Sequence, residues 1–206
     1  MSKETNDYKF KRIVKETFHS KLKPLGFKKK GNNFYKVFER FGHFVNFQRS
    51  VYNSYFETSF TVNINIFSHD YYKGYYIRDF PGRTEIPEFP SETECIFSFR
   101  IGKFIDGKDK WYVINDDTDE TQIITEINDL IVGEIIPWFS ERENFESIYE
   151  MINSGNDHDK VIFYREIGEI EKAISILNMI LDDQSINPAY RENMDKKMIE
   201  LLNIKK

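Results

Sequence analysis

The residues able to do chemistry in this chain are scattered, and their spacing excludes more reactions than it suggests. The four histidines, His19, His43, His69 and His158, form no His-x3-His or Cys-His pair of the kind a transition-metal site uses. His69-Asp70 and Asp157-His158-Asp159 are the tightest groupings, and both fall in stretches that read as turns, where Asp and His are ordinary solvated residues. The run Asp116-Asp117-x-Asp119-Glu120 has the composition of a calcium loop. It lacks the central glycine and the late glutamate, and a helix cap explains it better. Cys95, the only cysteine, sits among strand residues and reads as a small hydrophobe rather than a nucleophile. Gly-x-Ser-x-Gly, Gly-x-Gly-x-x-Gly and the P-loop lysine motif are all missing. No metal and no cofactor is expected, and no catalytic residue can be named.

Two groups of residues suggest binding instead. Asn46 and Gln48 alternate along one expected strand, and Thr61, Asn63 and Asn65 along the next. If those strands pair, the five side chains share one sheet face with Arg100 on a further strand. Amides within strands are disfavoured unless they have something to bond. Two readings stay open: a solvated face, the commoner arrangement for antiparallel sheets, or a shallow recognition surface framed by Arg49, Arg100 and the tyrosines of the 70s. By strand parity Arg49 lies on the side opposite Gln48. The second group is Lys28, Lys29 and Lys30 beside Phe27, Phe34 and Tyr35. Basic groups interleaved with aromatics on a sheet can hold single-stranded nucleic acid. A pI near 5.5 and the lack of an RNA-recognition pattern argue against it.

The elements that must position these residues read as follows. An amphipathic helix over 5–24 carries Phe10, Ile13, Val14, Thr17, Phe18 and Leu22 on one stripe, capped by Thr5 or Asn6. Lys28–Asn33 reads as a polar turn. Strands follow over about 33–40, 43–51 and 57–67, with a reversal at Phe41-Gly42-His43. The third strand has the cleanest alternation: Phe60, Val62, Ile64 and Ile66 on one side, the polar residues on the other. Residues 68–92 hold three of the six prolines and read as irregular. Strands near 94–102 and 111–114 complete the sheet. A helix over 119–139 is expected, then one over 141–153 started by a Ser140–Glu143 capping box. A hairpin over 157–167 and 169–182 and a last helix near 188–203 follow. Gly168 stands five residues before Ala173, as in the inner part of a tetratricopeptide-type hairpin, and only one such unit is present.

LKPLGFKKKGNNFYK, VNFQRS, FTVNINIF, FRIG and the following Trp111 resemble, in that order, the bacterial domain of unknown function 4304 family over residues 8–140. The resemblance implies a small α+β domain and no established activity. The fold expected is α+β, an antiparallel sheet of about five strands flanked by two helices. Residues 1–140 would form that domain and residues 141–206 a helical extension packed on it.

Composition bounds the remaining questions. Residues 1–40 hold twelve Lys and Arg against four Asp and Glu, a balance of +8; residues 41–206 hold seventeen against thirty, a balance of −13. A lone cysteine, a start without an apolar leader and no run of about 18 apolar residues fit a cytoplasmic protein with no membrane span. Three functions follow. The first is a non-catalytic interaction protein, in one version immunity- or antitoxin-like with an acidic body facing a basic partner. The second is an enzyme or small-ligand binder using the polar sheet face. The third is nucleic-acid binding through Lys28–Lys30. A protein partner is the first expectation, and composition gives no oligomeric state.

Overall fold

The computed structural model describes residues 5–79 and 82–204. The chain divides into two compact units, Met1–Phe67 with Pro87–Glu143, and Ser68–Ile86 with Asn144–Lys206.

The first unit contains the sheet. Its leading helix α1 (Asn6–Thr17) starts where the Thr5 hydroxyl accepts from the Tyr8 N–H. It continues through a π-helical turn, Phe18–Leu22, and a 3-10 turn, Lys23–Leu25, that ends at Gly26 with φ +89°. Six strands follow: β1 (Lys28–Lys30), β2 (Asn33–Val37), β3 (Phe41–Arg49), β4 (Thr58–Ser68), β5 (Phe97–Arg100) and β6 (Tyr112–Ile114). The order is β1-β2-β3-β4-β5, and β6 pairs with β4 beside β5. β4 is long enough for both: Thr58 to Phe60 pair with Ile114 to Tyr112, and Asn63 to Ile66 pair with Arg100 to Phe97.

The alternation of β4 sorts the core. Phe60, Val62, Ile64 and Ile66 are fully buried, each burial worth about 1.5–3 kcal/mol. The rings of Phe10 and Phe18 on α1 and its π turn meet Phe60 at 5.2 Å and Phe34 at 5.1 Å. The same face takes α3 (Glu120–Leu130), the π turn Ile131–Ile135 and α4 (Ile136–Ser140), whose Trp138 meets Phe99 at 5.6 Å. The flanking by two helical segments is as expected.

Three local expectations are corrected. Lys28–Lys30 is an edge strand, because Gly31-Asn32 makes the turn with φ +61° at the glycine. The reversal before β3 lies at residues 38–40: Val37 already pairs with Gly42, and the Phe38 N–H donates to the Phe41 carbonyl at 2.8 Å. The fourth strand is cut to Phe97–Arg100 between 3-10 turns at Glu92–Glu94 and Ile101–Phe104.

The second unit is helical. The stretch expected to be irregular begins with α2 (His69–Tyr72), capped by the Ser68 hydroxyl, and a π turn over Lys73–Arg78. Tyr71 stacks on Tyr75 and Tyr72 on Tyr76, the i, i+4 pairs of a helix. After it come α5 (Phe145–Asn153), α6 (Asp157–Glu166), α7 (Ile170–Asp182) and α8 (Pro188–Ile204). α5 is capped by Asn144 rather than Ser140, since the Glu141 and Arg142 N–H groups still close the last turn of α4. The α6–α7 hairpin falls within one residue of its expected bounds, with Gly168 at φ +83° and Ala173 fully buried.

Candidate functional site

The polar face of the sheet is largely covered. Thr61, Asn63 and Asn65 are at most 1% exposed, so the middle of β4 is not a solvated surface. Asn63 is the centre of a cluster. Its Nδ2 lies 3.2 Å from Asn46 Oδ1, 2.9 Å from Gln48 Oε1 and 2.7 Å from Glu92 Oε1. The Asn46 amide in turn donates to Asn33 Oδ1, its cross-strand partner. Burial holds the Glu92 carboxyl above the ordinary carboxylate range, opposed by the nearby Arg100 charge. Arg100 pairs in register with Asn63, but its guanidinium goes to Asp109 and lies 5.2 Å over Trp111. Thr61 donates to the Lys110 carbonyl at 2.8 Å, and Asn65 to the Phe44 carbonyl at 3.3 Å.

Of the residues singled out from sequence, the fold thus joins Asn46, Gln48 and Asn63 directly, with Arg100 beside them. Thr61 and Asn65 serve backbone carbonyls. Arg49 sits on the α1 side, 2.8 Å from Asp7 and 5.3 Å over Phe10, as parity requires. Asn33 and Glu92 are additions. Asn33 shares the face by the observed register, which the expected reversal at 41–43 would not have given. Glu92 arrives from a distant segment without a local pattern.

That segment, Pro87 to Cys95, covers the face. Phe89 meets Tyr35 at 5.7 Å and Phe44 at 6.2 Å. A Ser91–Glu94 capping box shapes the turn that presents Glu92. Cys95 donates weakly to the Ser91 carbonyl, and burial pushes its thiol well up, which disfavours the thiolate.

Lys28, Lys29 and Lys30 are exposed. Lys28 lies 3.9 Å from Glu88, and the Lys29 and Lys30 ammonium groups stand 5.9 Å over Phe34 and Phe89. Three lysines on an edge strand also discourage pairing with a second chain. Among the described residues no group of three or more His, Cys, Asp or Glu could hold a metal ion. His43 is buried, stacked on Phe139 at 4.2 Å, with Nε2 2.7 Å from the Arg142 carbonyl. A carbonyl only accepts, so Nε2 carries the hydrogen, and burial, which pushes the imidazole down to about 4, keeps the ring neutral at pH 7.

A second surface lies on the β3–β4 connection. Val51, Tyr52, Tyr55 and Phe56 are 89%, 92%, 87% and 78% exposed. The loop holding them is firmly built. Asn53 accepts from the Ser59 N–H at 2.7 Å and donates to the Ser59 carbonyl at 3.1 Å. Ser54 Oγ accepts from the Phe56 and Glu57 N–H groups, both at 3.2 Å. A cavity of about 480 Å³ opens at its base, lined by Asn6, Asp7, Arg49, Tyr55, Phe56 and Asp116 among others. The signal was present in the sequence: Val51-Tyr52-Asn53-Ser54-Tyr55-Phe56 places four large apolar residues where a turn is normally polar.

An antiparallel sheet covered on one face by two helical segments, with an amide cluster on the other, defines an α+β domain. The sequence profile described as "Domain of unknown function (DUF4304)" matches residues 18–141, and the chain belongs to that family. The amide cluster and the aromatic loop both lie within the matched span. No curated protein and no solved structure matches the chain. No helix among the described residues is long and apolar enough to cross a membrane.

Proposed function

We propose that this protein is a non-catalytic binding module that recognises another protein through the β3–β4 loop. The observation that carries the reading is four large side chains displayed to solvent on a loop whose backbone is fixed by Asn53 and Ser54. Aromatic side chains are enriched at protein interfaces, and tyrosine is among the residues that most often dominate their energetics. A loop already ordered before binding loses little conformational freedom on docking. A loop without a partner would gain nothing from this display and would carry an aggregation risk.

In its finer form the proposal is an immunity- or antitoxin-like protein. The charge balance of −13 beyond residue 40 suits a basic partner, and Glu57 and Asp116 flank the loop. The test is co-purification from the native host with wild type and with Tyr55→Ser/Phe56→Ser. These side chains are exposed, so the variant should keep its melting temperature. A stoichiometric partner lost from the variant supports the reading. The same proteins recovered with both chains refute it.

A further inference from the structure

The polar sheet face is occupied by the chain itself, and the manner of occupation indicates what else would fit. Two side chains of the covering segment dock on the face. The Phe89 ring sits against Tyr35 and Phe44, and three residues later the Glu92 carboxylate accepts from Asn63. Pro90 follows the phenylalanine and restricts its backbone, and neither Pro90 nor Pro87 offers an N–H. The described backbone hydrogen bonds of residues 87–95 stay within the turn: Glu94 to Ser91 at 3.1 Å and Cys95 to Glu92 at 3.0 Å. The first backbone bond to the sheet is from Ile96 to Ile66, at 3.0 Å. The cover is therefore held by side chains, without a ladder.

The cover also fits imperfectly. Tyr35 Oη and Asn65 Oδ1, both buried on this face, have no hydrogen-bond partner among the described residues. The Asn63 amide has two hydrogens and faces three acceptor oxygens, so one is left short. Glu92 is desolvated beside them. Buried polar groups left unpaired favour exchange for an occupant that satisfies them.

We infer that this face is a recognition surface for a turn-forming segment of a partner protein carrying an aromatic residue and, three positions later, a carboxylate, and that Phe89 and Glu92 hold it as a built-in competitor. The tethered segment is present at high effective concentration, so an outside segment binds weakly until the tether's anchors are removed. The inference uses residues separate from the β3–β4 loop and does not depend on it.

The test uses the full chain and a labelled peptide, PEFPSETE, which copies residues 87–94. Phe89→Ala/Glu92→Ala should bind it at least tenfold more tightly than wild type by fluorescence anisotropy. The side-chain amide NMR signals of Asn63 and Gln48 should shift on titration. A peptide with Ala for Phe and Gln for the first Glu after Ser should lose at least tenfold. Equal affinity for wild type and variant, or no binding to a variant whose tryptophan fluorescence shows it folded, overturns the inference. Should the double variant not fold, Glu92→Ala alone, with Phe89 kept, should still bind more tightly than wild type. The same affinity there also overturns it.

Discussion

Lowering the pH from 7 to 4 is expected to weaken the sheet-containing unit, and His43 accounts for a separable part of that loss. Burial pushes the His43 imidazole down to about 4 from an ordinary value of 6.5, and the neighbouring Lys36 and Arg142 charges add to it. The bond to the Arg142 carbonyl and the Glu143 charge act the other way and are outweighed. Between those two pH values the unfolded chain binds a proton that the folded chain does not. The stability contributed by the neutral ring is therefore complete above about pH 6.5, falls as the pH drops, and levels off below about 4. At about 1.4 kcal/mol per pH unit, the whole loss is about 3 kcal/mol, with about 2 kcal/mol gone by pH 5. His43→Phe keeps the stack on Phe139 but strands the Arg142 carbonyl, costing about 1–3 kcal/mol at pH 7. The advantage of wild type over the variant should shrink by about 3 kcal/mol on going to pH 4 and can reverse. Urea denaturation followed by tryptophan fluorescence reads this unit alone, because Trp111 and Trp138 both lie in it. A wild-type advantage that stays constant from pH 7 to 4, or an NMR titration of His43 near 6.5, would refute the reasoning.

Other substitutions test other parts of the fold. A Cβ on Gly42 would stand 2.1 Å from the Tyr35 ring, so Gly42→Ala should cost about 1–3 kcal/mol in urea, and adding Tyr35→Leu should recover part of it. In the helical unit the buried Arg165 donates to the Gly74 carbonyl at 2.6 Å and to Asp79 at 3.1 Å. Arg165→Met should cost about 3–5 kcal/mol by circular dichroism, and a loss under about 1 kcal/mol would show the network to be incidental. Gly168→Ala should cost about 1 kcal/mol in thermal melting, because an L side chain is strained at φ +83°. Asn53→Ala removes both bonds to Ser59 while leaving the aromatics, and should weaken partner binding about tenfold with little change in melting temperature.

How far the sequence predicted this structure depended on range. The β4 alternation and the α1 stripe are local periodicities, and both placed their core residues correctly: Phe60 to Ile66 and Phe10 to Phe18 are buried as expected. The α6–α7 hairpin was legible because Gly168 and Ala173 mark its turn and its contact. β1 was missed because three exposed lysines carry no alternation, although Gly31-Asn32 was a readable hairpin loop. The helical turn over residues 69–78 was hidden by the prolines that follow it, although Tyr71 with Tyr75 and Tyr72 with Tyr76 stand at helical i, i+4 spacing. The amide face was assigned to the right side of the sheet. Its cover was not foreseen, since the contact of Glu92 with Asn63 joins segments 29 residues apart and no local pattern announces it.

The most direct test of the binding-module reading is photo-crosslinking in cells from a benzophenone side chain placed at Tyr52, with the same group at the exposed Asp106 as control. The account predicts one dominant adduct to a single protein from position 52, absent from position 106. No adduct, or the same spread of adducts from both positions, would contradict it.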